Sequence, residues 1–328
     1  MTTSAAISTA GRFARDDEVA TWRDQGWILL DGLISTDEID ATHADLALLF
    51  PTAEEFHSDP EGVEQRWIGK PARPPEVYTW PDEGPGFRPE QHYFQREFPF
   101  GGEGLLNRLY VHPALVDFAE RALGTDDIRL YQNHATAKYA GFTNYEQPMH
   151  SDRNHSWLPA ATSPPWLQLQ VFVYLNDVSE GNAATHIVSR GDERGHKLTE
   201  PLVLPNWDRE IYAAEQSAPG VRGSVLAYGS NVFHRGVDLI EPGTARFTLN
   251  VCFKRAGHDW IGYHAPHSKS TSGGWVAFAE QCTPRELALF GFPEPGHPIW
   301  TAELLDSTAE LYPKLDLTPW RAALSPAG

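Results

Sequence analysis

Residues 166–176, WLQLQVFVYLN, alternate with a period of two. Leu167, Leu169, Val171, Val173 and Leu175 fall on one face, and Gln168, Gln170, Phe172 and Tyr174 on the other. Successive side chains of a strand point to opposite sides, so this stretch predicts a strand between an apolar core and a wet pocket. The rhythm recurs on both sides of it. In 128–138 one face carries Leu130, Gln132, His134, Thr136 and Lys138. In 245–254, Arg246, Thr248 and Asn250 share a side, opposite Phe247, Leu249 and Val251. Residues 221–228 read as a further strand. Short strands in succession, joined by Gly-rich turns, predict a β-sandwich or barrel rather than alternating βαβ units.

Helices frame this β region. Residues 17–26 read as a helix, followed by a strand at 27–30. Ser35-Thr36-Asp37-Glu38 has the form of a capping box, and Ile39, Leu46, Leu49 and Phe50 continue at helical spacing, so 36–50 is predicted as one amphipathic helix stopped by Pro51. Residues 51–104 are rich in Pro, Gly and charge, which argues against regular structure there. Such a stretch is either a lid over a site or an ordered surface wrap. Tyr78, Trp80, Tyr93 and Phe94 are its aromatic lid candidates. Residues 105–123 read as helical, broken early by Pro113 and stopped by Gly124. The tail has helical pieces, one starting at Pro284 and ending at Gly291, so 255–328 is expected as a helical addition packed on the barrel. No linker composition interrupts the chain, so 1–328 is expected as a single domain with a loose arm at 1–15.

Bulk properties exclude several classes. A chain of 328 residues with 41% hydrophobic content has enough material for a sizeable core. A formal net charge of −18 repels phosphate backbones, which disfavours nucleic acid as a partner. The two cysteines, Cys252 and Cys282, are too few for a disulfide framework, and both are expected reduced and partly buried. No apolar run approaches the ~20 residues needed to cross a bilayer, and the N-terminus lacks the apolar core of a secretory signal. The expected setting is therefore cytoplasmic.

The chemistry is concentrated in His150-Ser151-Asp152, His234 and Arg246. On an extended segment residues i and i+2 point the same way, so His150 and Asp152 can reach one ion. His234 would have to arrive from another strand, after a Gly-flanked turn. Two imidazoles and one carboxylate suit Fe(II) held on one face, with the opposite positions open for a keto-acid co-substrate and O2. A lone H-x-D triplet is weak evidence in a chain with 14 histidines. Arg246 strengthens it. A guanidinium can hold a carboxylate by a two-pronged bond. The competing reading, a surface ion pair, fits poorly with an apolar strand, where a guanidinium needs an anionic partner.

These residues resemble the phytanoyl-CoA dioxygenase family of Fe(II)/2-oxoglutarate oxygenases. The resemblance runs from Gln25-Gly26-Trp27 and Asp31-Gly32 through Lys138, Met149-His150-Ser151-Asp152, Leu175-Asn176-Asp177-Val178 and Glu180-Gly181-Asn182 to His234-Arg235-Gly236 and Arg246. Around Gln132, Lys138 and His150-Ser151-Asp152 it is also similar to the ectoine hydroxylase branch. It implies a double-stranded β-helix, or jelly roll, flanked by N- and C-terminal helices. It implies that His150, Asp152 and His234 bind iron, and that Arg246, helped by Thr248, holds the far carboxylate of 2-oxoglutarate, with Thr136 and Lys138 near the co-substrate. Two departures stand out. Ala183-Ala184-Thr185-His186 replaces a Pro-Gly-Ser-His turn, which makes His186 a distractor, and Gly236 stands where a small or polar side chain often follows the last ligand. The presence of Asp152 argues against a halogenase.

Arg153, Asn154, His155 and Trp157 follow the metal carboxylate and should edge the pocket mouth. Gln132, His134, Arg153, His155 and Trp157 are taken as substrate contacts, against the blander reading of each as a solvated loop residue or a core hydrogen bond. Mixed polar and aromatic lining fits a small polar metabolite. The expected reaction is hydroxylation of an unactivated C–H bond, with succinate and CO2 released. Desaturation or ring closure would use the same site. Two other readings stay open: a non-catalytic jelly-roll module that binds a small ligand, and a cupin-like metal hydrolase or isomerase that needs no keto-acid. The oligomeric state is not legible.

Overall fold

The computed structural model describes residues 11–68, 94–141, 146–152, 155, 168–196, 202–259, 261–262 and 272–324. Eleven strands occur among them: β1 (Trp27–Leu30), β2 (Gln95–Glu97), β3 (Ile128–Tyr139), β4 (Met149–His150), β5 (Gln168–Tyr174), β6 (His186–Ile187), β7 (Leu202–Val203), β8 (Gln216–Ser217), β9 (Val225–Tyr228), β10 (His234–Arg235) and β11 (Ala245–Arg255). They form two antiparallel sheets. The large one has the order β1-β9-β5-β11-β3-β2 and the small one β7-β4-β10-β6-β8. Two packed antiparallel sheets with helices are the sandwich-like arrangement that the strand rhythm predicts, and of the jelly-roll type that the family resemblance implies.

The two faces of the large sheet divide the labour. Leu169, Val171, Val173, Leu249, Val251 and Phe253 point into the main core, where helices cover them. The opposite face, bearing Tyr174, Leu226 and Tyr228, packs on the small sheet through Ile187, Ala218 and Val232. A β-bulge interrupts β3: Cys252 pairs with Gln132 but Phe253 pairs with Leu130, so Tyr131 is the extra residue. The bulge changes which side chains share a face. Leu130 joins the main core while Tyr131 turns to the pocket side beside Cys252. Leu130 therefore does not share a face with Gln132 to Lys138, as simple alternation predicts.

The N-terminal helices follow local chemistry. Helix α1 (Asp16–Gln25) ends at Gly26, whose φ of 81° is the left-handed conformation of a helix stop. A Cβ there would also lie 2.6 Å from a Val232 methyl. Arg12 bonds both Glu18 oxygens, at 2.8 and 2.9 Å, and the Asp31 carbonyl, so residues 11–15 are fastened to α1 rather than loose. The capping box forms: Glu38 N donates to Ser35 Oγ at 3.2 Å, and Ser35 N to Glu38 Oε2 at 3.0 Å. The helix it starts is two helices, α2 (Thr36–Ala41) and α3 (His43–Leu49). At the break, the Thr42 hydroxyl donates to the Ile39 carbonyl at 2.7 Å, competing with the helical ladder.

Residues 51–68 correct the expectation of irregular structure. They hold α4 (Ala53–Ser58), α5 (Pro60–Val63) and a π-turn at Glu64–Ile68. Phe94 is fully buried, 6.1 Å from the Phe56 ring and 5.0 Å from the Tyr139 ring, so it is a core residue and not part of a lid. The other lid candidates, Tyr78, Trp80 and Tyr93, lie outside the described residues. Next come α6 (Leu105–Arg108), a 3-10 turn at Leu109–Val111 and α7 (Pro113–Leu123), which has Pro at its first position, His112 as cap and Gly124 as stop. A short α8 (Glu210–Ala213) follows β7. The C-terminal helices are α9 (Gly273–Ala279), α10 (Pro284–Ala288), α11 (Ala302–Leu311) and α12 (Thr318–Ala322). They insert Trp275, Phe278, Leu287 and Trp320 into the core that the sheet uses, and Phe98 stacks on Phe290 at 5.4 Å. Both cysteines are buried thiols. No helix among the described residues is long and apolar enough to cross a membrane.

Candidate metal centre

Antiparallel pairing of β4 with β10 sets His150 directly opposite His234. Their ring centroids are 4.5 Å apart, and both side chains are buried. Asp152 follows two residues on. Its Oδ1 lies 3.9 Å from His150 Nε2 and its Oδ2 3.5 Å from His234 Nε2. One ligand atom from each of the three residues lies within 4.8 Å of the others.

The backbone prepares both imidazoles in the same way. His150 Nδ1 meets the Pro148 carbonyl at 2.8 Å and His234 Nδ1 meets the Val232 carbonyl at 3.2 Å, each two residues back. A carbonyl only accepts, so Nδ1 carries the proton and Nε2 keeps its lone pair for a metal. Burial, with the neighbouring His234, pushes the His150 pKa down to about 4. Burial alone would raise the Asp152 carboxyl, but His234, His155 and His150 outweigh it and hold the carboxyl down to about 2. At neutral pH a metal need displace no proton from either group. This donor set fits a divalent iron.

An ion network braces the two histidine strands from behind. Arg235, next to His234, forms a two-pronged bond with Glu215 at 2.7 and 2.9 Å. His186, paired with Arg235 across β6 and β10, meets the same carboxylate at 2.9 Å. Tyr212 lies under the Arg235 guanidinium, and its hydroxyl accepts from Met149 N at 2.9 Å. His186 is thus a strut and stands apart from the three converging side chains. Burial would raise the Glu215 carboxyl, yet Arg235 and His186 keep it down at about 2. Glu215→Ala leaves the Arg235 guanidinium mostly buried without its two-pronged partner. Removing one partner of a fully buried pair costs about 3–5 kcal/mol, and partial exposure reduces that here to roughly 2–3 kcal/mol. Urea unfolding should show this loss, and a smaller one for Glu215→Gln, whose amide oxygen still accepts.

The pocket face of the large sheet carries the remaining predicted residues in rows. Lys138 pairs with Arg246, Thr136 with Thr248, His134 with Asn250 and Gln132 with Cys252. Thr136 and Thr248 share a hydrogen bond of 2.7 Å. Arg246 donates to the Ala183 carbonyl, and Lys138 Nζ lies 3.4 Å from the Val237 carbonyl. Burial first, and then Arg246, push the Lys138 pKa well below its ordinary value, with Asp238 opposing. Two buried cations side by side favour an added anion. The far end of a dicarboxylate supplies one, so this end of the pocket fits 2-oxoglutarate. A Cβ at Gly236 would lie 2.8 Å from Gln147 Oε1 and 3.1 Å from Lys138 Nζ, so the ends of both side chains would have to shift. The departure at 236 thus makes room for the Lys138 ammonium.

At the other end of the rows, Gln132 Nε2 is 3.5 Å from His134 Nδ1. His155 is buried, with its Nδ1 3.3 Å from the Tyr131 hydroxyl, which also accepts from Gln168 Nε2 at 3.3 Å. Arg153 and Trp157 lie outside the described residues. Sequence reasoning missed two pocket-side residues, Tyr131 and Tyr228. The only signal for Tyr131 was the apolar Leu130 interrupting a polar face. Tyr228 ends an otherwise apolar four-residue strand that gives no period to read.

The chain matches the family model for phytanoyl-CoA dioxygenase over residues 22–238, about two thirds of its length. All three converging side chains fall inside that span, and Arg246 lies just beyond it. No curated protein sequence matches the chain. Among solved structures it resembles the non-haem alpha-ketoglutarate-dependent carbocyclase SnoK from nogalamycin biosynthesis, at 16% identity, TM-score 0.50, and coverage of 80% of this chain and 92% of that one. It also resembles EctD from S. alaskensis in its apoform, at 18% identity, TM-score 0.51, and coverage of 80% of this chain and 85% of that one. Identities this low speak for a shared fold. The family model, which covers most of the chain and includes all three converging side chains, places the protein in the phytanoyl-CoA dioxygenase family.

Proposed function

We propose that the chain hydroxylates an unactivated C–H bond of a small metabolite, while 2-oxoglutarate and O2 become succinate and CO2. The class, an Fe(II)- and 2-oxoglutarate-dependent oxygenase, follows from the family together with the His-Asp-His group. One oxygen atom enters the substrate and the other enters succinate, so the overall reaction balances. Iron bound with the keto-acid supplies the oxidant. The chain's own residues do the rest. His150, Asp152 and His234 hold the ion, and Arg246 and Lys138, with Thr136 and Thr248, bind and orient the diacid. Gln132, His134 and His155, with Arg153 and Trp157, bind the substrate. We take the whole chain as one catalytic domain working in the cytoplasm; two buried thiols and no disulfide support that setting.

The observation that carries this reading is the convergence of three ligand atoms within 4.8 Å, each imidazole presenting Nε2. A bare ligand-binding module has no need of that set. The test is anaerobic loading with Fe(II), then exposure to O2 with 2-oxoglutarate and metabolite pools. Succinate should form, dependent on iron and raised by the right pool, and His150→Ala should form none. Succinate formation at equal rates in His150→Ala would overturn the assignment.

A further inference from the structure

We propose that Tyr228 is a positioning residue that fixes the Asp152 carboxylate at the metal, with Gln170 holding the phenol in place. This rests on reading His150, Asp152 and His234 as the iron site. Asp152 lies just past the end of β4, where no strand pairing controls its side chain. Its carboxylate can turn about its own bond, so a neighbour must choose which oxygen faces the ion. Tyr228 is placed for that task. It sits in β9, paired with Gln170 on one side and Trp27 on the other, and is almost wholly buried. Its hydroxyl lies 3.5 Å from Asp152 Oδ2 and 3.2 Å from Gln170 Oε1, and its ring packs 4.5 Å from the His234 ring. The phenol thus touches two of the three ligands.

Chemistry fixes the direction of the bond. A phenol is protonated at neutral pH, and its one proton has two acceptors in reach, Gln170 Oε1 and Asp152 Oδ2; the charged oxygen is the stronger, so towards the carboxylate the phenol donates. A carboxylate bound to a metal through one oxygen keeps its other oxygen charged, and that oxygen needs a donor where water is scarce. The Gln170 side chain also faces the Asp152 carboxylate, so its buried amide nitrogen is a second donor on that side.

The test is anaerobic titration with Co(II), read by its visible d–d bands, and with Fe(II). Tyr228→Phe keeps the ring on His234 and removes only the hydroxyl. We expect metal affinity to fall about 10–100-fold, the usual cost of losing an outer partner of a ligand. The Co(II) bands should shift as the carboxylate is released to bind through both oxygens. Tyr174→Phe is the control, because it deletes another buried hydroxyl of the same sheet, bonded to the Ala218 carbonyl at 2.7 Å. It should keep wild-type Co(II) affinity and bands. Unchanged affinity and bands in Tyr228→Phe overturn the proposal, and so do equal losses in the two variants. If the wild type itself binds no Co(II), the metal site fails and the proposal falls with it.

Discussion

Replacing His234 with alanine is expected to abolish tight Fe(II) binding and, with it, succinate formation. His234 is the one ligand supplied by β10, and without it the ion keeps only His150 and Asp152 from a single short segment. Outer partners of a ligand are worth about 10–100-fold in affinity, so losing a ligand itself should cost on the order of a thousandfold. The fold should survive. β10 is also held by its pairing with β6 and by the Arg235–Glu215 bonds, neither of which needs the imidazole. Calorimetric titration with Co(II), beside far-UV dichroism, separates loss of the site from loss of the protein. A variant that still binds metal within tenfold of wild type would remove His234 from the ligand set.

The same contrast shows what a linear sequence can reveal. The nearness of His150 to Asp152 and the burial of Arg246 were legible because strand alternation fixes direction: i and i+2 point together, and a charge in an apolar strand stands out. The large sheet was legible for the same reason, since Gln168 to Tyr174 obey period two without interruption. Two of the places where prediction failed are places where one residue breaks the period. Tyr131 adds an extra residue to β3, which sends Leu130 to the core and brings Tyr131 to the pocket. Thr42 divides a helix whose apolar spacing continues across the gap. Phe94 carries no local mark of its burial, because Phe56 and Tyr139, which enclose it, are distant in sequence. Tyr228 and Glu215 act through partners on other strands, and one sequence does not pair strands. The His186 distractor was resolved by a carboxylate 29 residues away.

Arg246→Leu should raise the KM for 2-oxoglutarate by about a hundredfold while leaving metal affinity near wild type. Arg246 and Lys138 are buried side by side on the paired strands β3 and β11, where two cations favour a bound anion. Truncating one partner of a buried charged contact costs about 2–5 kcal/mol, or roughly 30- to several-thousandfold in affinity. Lys138 and the Thr136–Thr248 pair remain to hold part of the diacid, which places the expectation toward the lower part of that range. Arg246→Lys should recover only part of the loss, because a point charge does not reproduce the planar fork that meets both carboxylate oxygens. Co(II) affinity tests the other half of the prediction, since Arg246 sits on β11 and bonds the Ala183 carbonyl, while the three metal-facing side chains come from β4, the residues just after it, and β10. A metal hydrolase or isomerase on the same scaffold would have no use for the diacid, and its activity would survive Arg246→Leu. A full loss of 2-oxoglutarate turnover with intact metal binding therefore separates the oxygenase from those alternatives, whereas an unchanged KM would show that the guanidinium does not face the co-substrate.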